Sequence, residues 1–255
     1  MKILLTNDDG IHAPGLMALY KELNGDFDLS VVAPESEMSA VGHAITLELP
    51  LRVRKVRKNG SFFGYGVNGT PADCVKIAVQ EILEIVPDVI LSGINLGANV
   101  GVNVLYSGTV SAATEGAFLG IKSAALSLNT RHDPDFSFAA RFSRNIIQLL
   151  KESNLKKGTA LNVNIPAIPP SGIDGVSFTR QGVSRFRERF DRRIDPRGNE
   201  YYWLTGETPV EEEAADADAN SLKKNRITIT PINHDLTSME DLENLRNQPV
   251  PEYKI

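Results

Sequence analysis

The sequence predicts an α/β protein: a doubly wound, mostly parallel sheet in three Rossmann-like layers, followed by a β-hairpin-rich C-terminal extension. Short apolar runs of strand length alternate with stretches of helical periodicity from residue 2 to residue 165. This alternation is typical of βαβ units, which build parallel sheets covered by helices on both faces. Beyond Pro166 the helical periodicity weakens and strand-like pieces dominate. We therefore expect a core domain over residues 1–166 and an extension over residues 167–255.

The strands and helices of the core follow from apolar runs and the turn residues beside them. Strands are expected at 2–7, 29–33, 45–56, 61–67, 88–92, 124–128 and 160–165. Alternating apolar and basic residues over 45–56, followed by the turn Asn59-Gly60, predict an antiparallel hairpin with 61–67. Helices are expected at 14–23, 70–83, 109–120 and 135–152, where apolar or small residues recur at helical spacing.

The extension carries weaker signals. Strand-like pieces fall at 175–180, 200–205 and 226–230, and a short closing helix at 237–246. Seven arginines and three acids occur over 180–197, which predicts a solvated hairpin with local ion pairs; a phosphate-attracting rim or an inter-subunit arm is the alternative. The acidic run from Glu211 to Asp218 is expected to be an exposed loop.

Composition narrows the class of function. The chain has 27 basic and 32 acidic residues, a net charge of -5, which argues against a surface for nucleic-acid polymers. Its one cysteine, Cys74, allows no internal disulfide and fits a reducing cytoplasm. No apolar run approaches the roughly 20 residues of a membrane span, so we expect no membrane partner.

Polar side chains follow three of the predicted strands. Ligands of open α/β sheets bind beyond the carboxyl ends of the strands, so we expect these loops to form one site. The candidates in chain order are Asn7, Asp8, Asp9, Ser36, Ser39, His43, Asn95, Asn99, Asn103, Ser107, Gly108 and Thr109. Most offer oxygen, none is cysteine and histidine is sparse, so the set suits a hard divalent cation and not a structural zinc ion.

The adjacent pair Asp8-Asp9 is the most informative feature of these loops. Two neighbouring carboxylates repel each other, which pushes one toward protonation unless a cation lies between them. A solvated turn or an Asp that caps the next helix is the alternative, and it is the commoner reading of a bare Asp-Asp pair. The other oxygen-rich loops favour the cation.

The segment Ser107-Gly108-Thr109 stands where a predicted helix begins. Glycine lets the backbone approach an anion, and the first-turn amides and the threonine hydroxyl can bind it. Simple helix capping by Ser107 or Thr109 is the alternative, and it is compatible with anion binding. A cation beside such an anion site is what the hydrolysis of a phosphate ester requires.

These motifs resemble those of the SurE survival protein family, whose members are metal-dependent nucleoside monophosphate phosphatases. The motifs that carry the resemblance span nearly the whole chain: TNDDGIHAPGL at 6–16, AP at 33–34, HAIT at 43–46, GTPADCV at 69–75, SGINLGANVG at 92–101, YSGTVSAATEG at 106–116, LNVNIP at 161–166 and ITITPI at 227–232. The chain departs from the family pattern at Ala40, Ala217 and Asn225, none of which is a proposed ligand.

The resemblance implies a site and an activity. One divalent cation, Mg or Mn, is expected on Asp8, Asp9, Ser39 and Asn95, and phosphate on Ser107, Gly108 and Thr109, with Asn7 and Asn95 also contacting substrate. Asp8 and Asp9 are the expected catalytic residues; they would orient water for attack on phosphorus or, in a competing route, form an aspartyl phosphate.

The resemblance also implies the substrates and the assembly. The expected substrates are nucleoside 5′- or 3′-monophosphates and short polyphosphate, and a homodimer or homotetramer is expected to use a C-terminal arm. Two points stay open. A non-catalytic nucleotide-binding or sensing module is the alternative function, and His12 or His43 is a candidate general acid.

Overall fold

The computed structural model describes residues 1–130, 132–184, 187–207 and 214–249, and shows a mostly parallel sheet between two layers of helices. Parts of the predicted acidic loop (211–213) and of the predicted terminal arm (250–255) lie outside the described residues. The predicted α/β class with a doubly wound sheet is confirmed.

The strands of the described ranges are short, and those of the core lie close to the expected positions. In chain order they are β1 (Lys2–Thr6), β2 (Asp28–Pro34), β3 (Val53–Lys58), β4 (Ser61–Val67), β5 (Val89–Leu96), β6 (Lys122–Asn129), β7 (Ala160–Pro166), β8 (Val176–Phe178), β9 (Arg187–Ile194), β10 (Glu200–Glu207) and β11 (Ile227–Ile232).

The main sheet has the strand order β3-β4-β2-β1-β5-β6-β7-β11-β8. The central strands from β4 to β7 run parallel, β3 is antiparallel at one edge, and β11 is antiparallel to β7. From β1 the chain builds outward to β2 and β4, then returns to β5 and builds the other way. The strand order therefore reverses between β1 and β5, which is the position where open α/β sheets bind ligands.

Helices cover both faces of this sheet. The α-helices of the described ranges are α1 (Pro14–Leu23), α2 (Pro71–Ile77), α3 (Gly108–Phe118), α4 (Ser137–Glu152), α5 (Asp218–Lys223) and α6 (Met239–Arg246), of which α6 buries no residue. Helices α1 and α4 pack their buried leucines, isoleucines and alanines on one face, and α2 and α3 pack small residues on the other. None of these helices in the described part of the chain is long and apolar enough to cross a membrane.

Helix α2 begins as its sequence predicts and also orders a distant loop. The Thr70 hydroxyl accepts a hydrogen bond from the Asp73 N–H (3.1 Å), and Asp73 in return accepts one from the Thr70 N–H (2.9 Å), so the two form a capping box. The same Asp73 carboxylate accepts hydrogen bonds from the N–H and hydroxyl of Thr46.

This bonding explains why one predicted strand was too long. The expected strand 45–56 is wrong over 45–52, where the backbone forms no regular strand, and only Val53–Lys58 pairs with β4. Thr46 gives its N–H to Asp73, and Pro50 has no N–H to give to a ladder. Local alternation of apolar and polar residues therefore does not extend the pairing.

The extension contributes to two sheets. Strands β8 and β11 lengthen the main sheet, whereas β9 and β10 form a separate antiparallel hairpin. The arginine-rich segment is β9, which was not expected as a separate strand. Its Arg192 and Arg193 pair with Glu200 and Asp191, as the solvated-hairpin interpretation expects.

The end of the acidic run, Ala217 and Asp218, is buried. Asp218 is fully buried at the start of α5 and accepts hydrogen bonds from backbone N–H groups, so the expectation of an exposed loop is wrong there. The number of acidic residues in a segment does not predict which carboxylate will be buried and hydrogen-bonded to backbone N–H groups.

Gly15 provides a test of how closely α1 packs on the sheet. A Cβ at this position would lie 2.0 Å from the Ile94 carbonyl oxygen of β5. We expect Gly15→Ala to lower the free energy of unfolding by about 2–3 kcal/mol, because backbone must move. Urea denaturation of Gly15→Ala should be compared with Gly172→Ala, whose Cβ would meet only ordinary contacts. Equal stability of the two variants would contradict this packing.

Candidate active site

The candidate site lies beside β5, beyond the carboxyl end of β1. Thr6, the last residue of β1, is in register with Ser92, and β5 continues past it to Leu96, so Asn7, Asp8 and Asp9 emerge beside the second half of β5, which includes Asn95. These residues belong to the first and third polar loops of the sequence. The second, after β2, joins them because the Met38 N–H donates to the Asp8 carbonyl oxygen (2.8 Å).

Asp8 is held against the start of α3. The Thr109 hydroxyl donates to Asp8 Oδ1 at 2.5 Å, and both side chains are buried. A Cβ at Gly108 would lie 2.7 Å from Asp8 Cβ, so only glycine allows this approach of helix and carboxylate. The structure thus brings Asp8, Gly108 and Thr109 together as predicted.

Asp9 experiences the charge of its neighbours. Burial first, and then the negative charges of Asp8 and Glu37, raise its pKa to about 6, against a lowering hydrogen bond from the Leu96 N–H. Burial also raises the pKa of Asp8, opposed mainly by the Thr109 hydroxyl. Both carboxylates are therefore costly to ionise without a positive partner.

Glu37 is a contributor that the sequence analysis missed. Its charge acts on Asp8 and Asp9, and its Oε1 accepts a hydrogen bond from the exposed Ser39 hydroxyl at 2.6 Å. Its position two residues before Ser39, in a loop already singled out, was the available signal.

Two candidate amide side chains are held by local hydrogen bonds. Asn95 donates from Nδ2 to the Gly97 carbonyl at 2.8 Å, and it directly precedes Leu96, whose backbone bonds Asp9. Asn7 donates from Nδ2 to the Gly10 carbonyl at 2.9 Å. Gly10 itself has φ +96°, so the turn after the carboxylate pair requires a residue that tolerates this conformation.

Ser107 caps helix α3. Its hydroxyl accepts the Val110 N–H at 3.1 Å, so the capping interpretation is correct for Ser107. The other N–H groups of the first turn, from Gly108 and Thr109, have no partner within the helix by the geometry of an α-helix. The positive end of the helix dipole therefore lies beside Asp8.

Buried polar atoms at this edge show that a charged or polar ligand fits. Among the described residues, the buried side-chain oxygens without a hydrogen-bond partner include Thr6 Oγ1 at the end of β1, Asn7 Oδ1 just after it, and Ser92 Oγ on β5 in register with Thr6. An unpaired buried polar group costs about 1–3 kcal/mol, so this cluster favours a site that binds something polar.

The donor set suits a hard cation. Across the described ranges, no three His, Cys, Asp or Glu side chains are grouped so that they could hold a metal ion, so Glu37 does not complete a triad with Asp8 and Asp9. The candidate ligands are then two carboxylates, an amide and a hydroxyl, which are all oxygen donors of the kind that Mg and Mn prefer.

The two candidate histidines are placed differently. His43 Nε2 bonds Glu115 Oε2 at 2.8 Å and its ring stacks on Phe118, so its contacts are with the middle and end of α3. Burial raises the pKa of Glu115, but hydrogen bonds from His43 and Lys76 and their charges outweigh it and lower the pKa overall. His12 is exposed beside the first loop.

Fold and site together define a class of protein: a doubly wound α/β protein with paired carboxylates beside a helix N-terminus at the reversal of strand order. The chain belongs to the SurE family, because it matches the family described as "Survival protein SurE" over residues 3–188.

Similar proteins match nearly the full length of the chain. It is 56% identical to the "5′-nucleotidase SurE" of Syntrophus aciditrophicus over 247 residues, covering 96% of this chain and 93% of that protein. It is 51% identical to the protein of the same name from Syntrophobacter fumaroxidans, covering 96% and 98%. The crystal structure of the SurE protein from Aquifex aeolicus superposes with a TM-score of 0.82 at 38% identity, covering 97% of this chain and all of the other.

Asp9→Asn tests the electrostatics of the pair. Because the folded pKa of Asp9 lies above the ordinary 3.8, its ionisation opposes folding. The cost is absent below about pH 4, grows as the pH rises toward 6 and is complete above that. In EDTA at pH 7 we expect Asp9→Asn to be more stable than wild type by about 1–2 kcal/mol after solvent screening.

Denaturation curves at pH 4 and pH 7 give the measurement. At pH 4 the difference should nearly vanish, since Asp9 is then largely protonated in the folded protein. A variant that is less stable than wild type at pH 7 would contradict the raised pKa.

Proposed function

We propose that this chain is a metal-dependent 5′-nucleotidase, a phosphomonoesterase that hydrolyses nucleoside 5′- or 3′-monophosphates to nucleoside and phosphate. The observation that carries the proposal is the Asp8-Asp9 pair against the first turn of α3, with Thr109 bonded to Asp8. The relatives that carry the name 5′-nucleotidase SurE match nearly the whole chain and support the same activity.

Asp8, Asp9, Ser39 and Asn95 are the residues that would hold one divalent cation. When bound, the cation neutralises the carboxylate pair and polarises the phosphate ester. The orphaned oxygens of Thr6, Asn7 and Ser92 and the raised pKa values of Asp8 and Asp9 support a polar, positively charged ligand at this edge.

The start of α3 would bind the phosphate. Backbone N–H groups at a helix N-terminus point toward an anion, and the helix dipole favours negative charge there. Gly108 lacks the Cβ that would hold the start of α3 and Asp8 apart. Thr109 fixes the orientation of Asp8 through its hydroxyl, so that Asp8 can orient the attacking water or serve as the nucleophile.

The proposal extends to the identity of the cation, a further substrate, the domain division, the assembly and the location. We infer Mg or Mn as the cation, since both accept oxygen ligands. We also propose short polyphosphate as a further substrate, a core domain at 1–166, and an extension at 167–255 that carries the arm of a homodimer or homotetramer. The single cysteine, which is buried, fits a cytoplasmic location.

Phosphate release from a panel of nucleoside monophosphates tests the activity. We expect release with Mg or Mn, none in EDTA, and recovery when the metal is restored. No release with any metal, together with measurable nucleotide binding, would overturn the proposal in favour of a sensing module.

A carboxylate substitution tests the site. We expect Asp8→Asn to lower kcat at least about 10³-fold, because it removes a predicted ligand and the charge that Thr109 positions. Asp28→Asn is the matched control, since Asp28 is exposed and begins β2 at the opposite edge of the sheet. Near-normal turnover of Asp8→Asn would exclude the assigned site.

A further inference from the structure

The segment 97–106 connects the two halves of the site. It begins two residues after Asn95 and leads directly into Ser107, and its last six residues, Gly101–Tyr106, form a 3₁₀ helix. The Tyr106 carbonyl oxygen accepts a hydrogen bond from the Gly42 N–H (2.9 Å), in the loop that carries Ser39. A shift of this segment would therefore move both the start of α3 and the Ser39 loop.

The core domain anchors the segment at Asn99. The Asn99 N–H donates to Asn164 Oδ1 (2.7 Å), and its carbonyl oxygen accepts from the side-chain amides of Asn162 (2.7 Å) and Asn164 (3.0 Å). Asn99 Nδ2 donates to Ser127 Oγ at 2.9 Å. All four side chains are buried, so the backbone at Asn99 is held against β6 and β7.

The C-terminal extension anchors the segment at Gly101. The Gly101 N–H donates to Asp218 Oδ2 (3.1 Å), and the Gly101 carbonyl oxygen accepts from Gln181 Nε2 (2.9 Å). The Asp218 carboxylate also accepts the N–H groups of Gly182 (3.0 Å) and Ala219 (2.7 Å). Gly101 has φ +57°, and a Cβ there would lie 2.3 Å from the Ser184 carbonyl oxygen.

The burial of the Asp218 carboxylate has to be compensated. Taking a carboxylate out of water is unfavourable unless hydrogen bonds satisfy it, and here backbone N–H groups do so. A carboxylate does what an apolar side chain cannot: it fixes several N–H groups in one arrangement. Here the N–H groups belong both to the extension and to the segment 97–106.

We propose that Asp218, assisted by Gln181, is a positioning residue of the active site. It sets Gly101, and through the 3₁₀ helix it sets the phosphate-binding start of α3. This inference rests on the proposed function. Under this inference the extension contributes to recognition of the substrate phosphate by positioning the site, without touching the reacting atoms.

Asp218→Asn is the direct test. The variant keeps the size of the side chain but replaces one acceptor oxygen by an N–H₂ group that faces backbone donors. We expect KM for a nucleoside monophosphate to rise about tenfold and kcat/KM to fall about 10²-fold, since a displacement of about 1 Å is sufficient for such losses. Affinity for Mn, measured by calorimetry without substrate, should be unchanged.

Asp216→Asn is the matched control. Asp216 is two residues away and exposed, and its ion pair with Arg180 does not reach Gly101. Its KM should equal that of wild type. A loss of folded protein alone would lower the apparent kcat of Asp218→Asn and leave KM unchanged, which would overturn the positioning role.

Gln181→Ala provides a second reading that changes no charge. It removes the hydrogen bond to the Gly101 carbonyl oxygen, so we expect a smaller rise in KM, and it decides the question if Asp218→Asn does not fold. Wild-type KM in Gln181→Ala and in any folded Asp218→Asn would overturn the inference.

Inorganic phosphate separates the two proposals. Its affinity is measured without turnover, and the positioning role predicts weaker binding in both variants than in wild type. If wild type releases no phosphate from any nucleotide, the proposed function fails, and equal phosphate affinities of wild type and variants would then overturn the anchor as well.

Discussion

The main constraint on the site is that the fold places two adjacent carboxylates, buried Asp8 and half-buried Asp9, directly after β1. Burial raises the pKa of both, so they stand there against their own ionisation. The groups that compensate lie close in space: the first turn of α3 with its Thr109 hydroxyl, and the Leu96 N–H of β5. Both are distant from Asp8 and Asp9 along the chain, and the reversal of strand order between β1 and β5 brings them together.

Close backbone approaches make this assembly possible. Gly15 brings α1 onto Ile94, and Gly108 brings α3 onto Asp8; a Cβ at either would lie 2.7 Å or less from the nearest atom. A Cβ at Gly93, whose φ is +132°, would lie 2.3 Å from the Leu126 carbonyl oxygen on the neighbouring strand. At Gly108 the missing side chain that lets α3 approach the sheet also lets its first turn reach Asp8. Packing and site are consequently not separable at this edge.

The sequence predicted what is local and periodic, and it missed what depends on partners distant along the chain. The core strands and helices α1 to α4 follow from apolar spacing and capping residues, and Asp8, Gly108 and Thr109 meet as their motifs indicate. The strand predicted over 45–52 does not form, because the Thr46 N–H donates to Asp73 and not to a neighbouring strand. Glu37 and the buried Asp218 were missed since a carboxylate's surroundings are set by tertiary structure, which spacing does not encode.

The three polar loops act as one unit because they are bonded to each other and not only to a ligand. Met38 binds Asp8, Gly42 binds Tyr106, and His43 binds Glu115 on α3. The loop that carries Ser39 is thus tied to the first loop at one end and to α3 at the other. With Gly101 held from the extension by Asp218, the candidate ligands stand on a framework fixed before substrate arrives. Preorganisation of this kind lets fixed dipoles stabilise charge that develops on a phosphate without reorganising during the reaction.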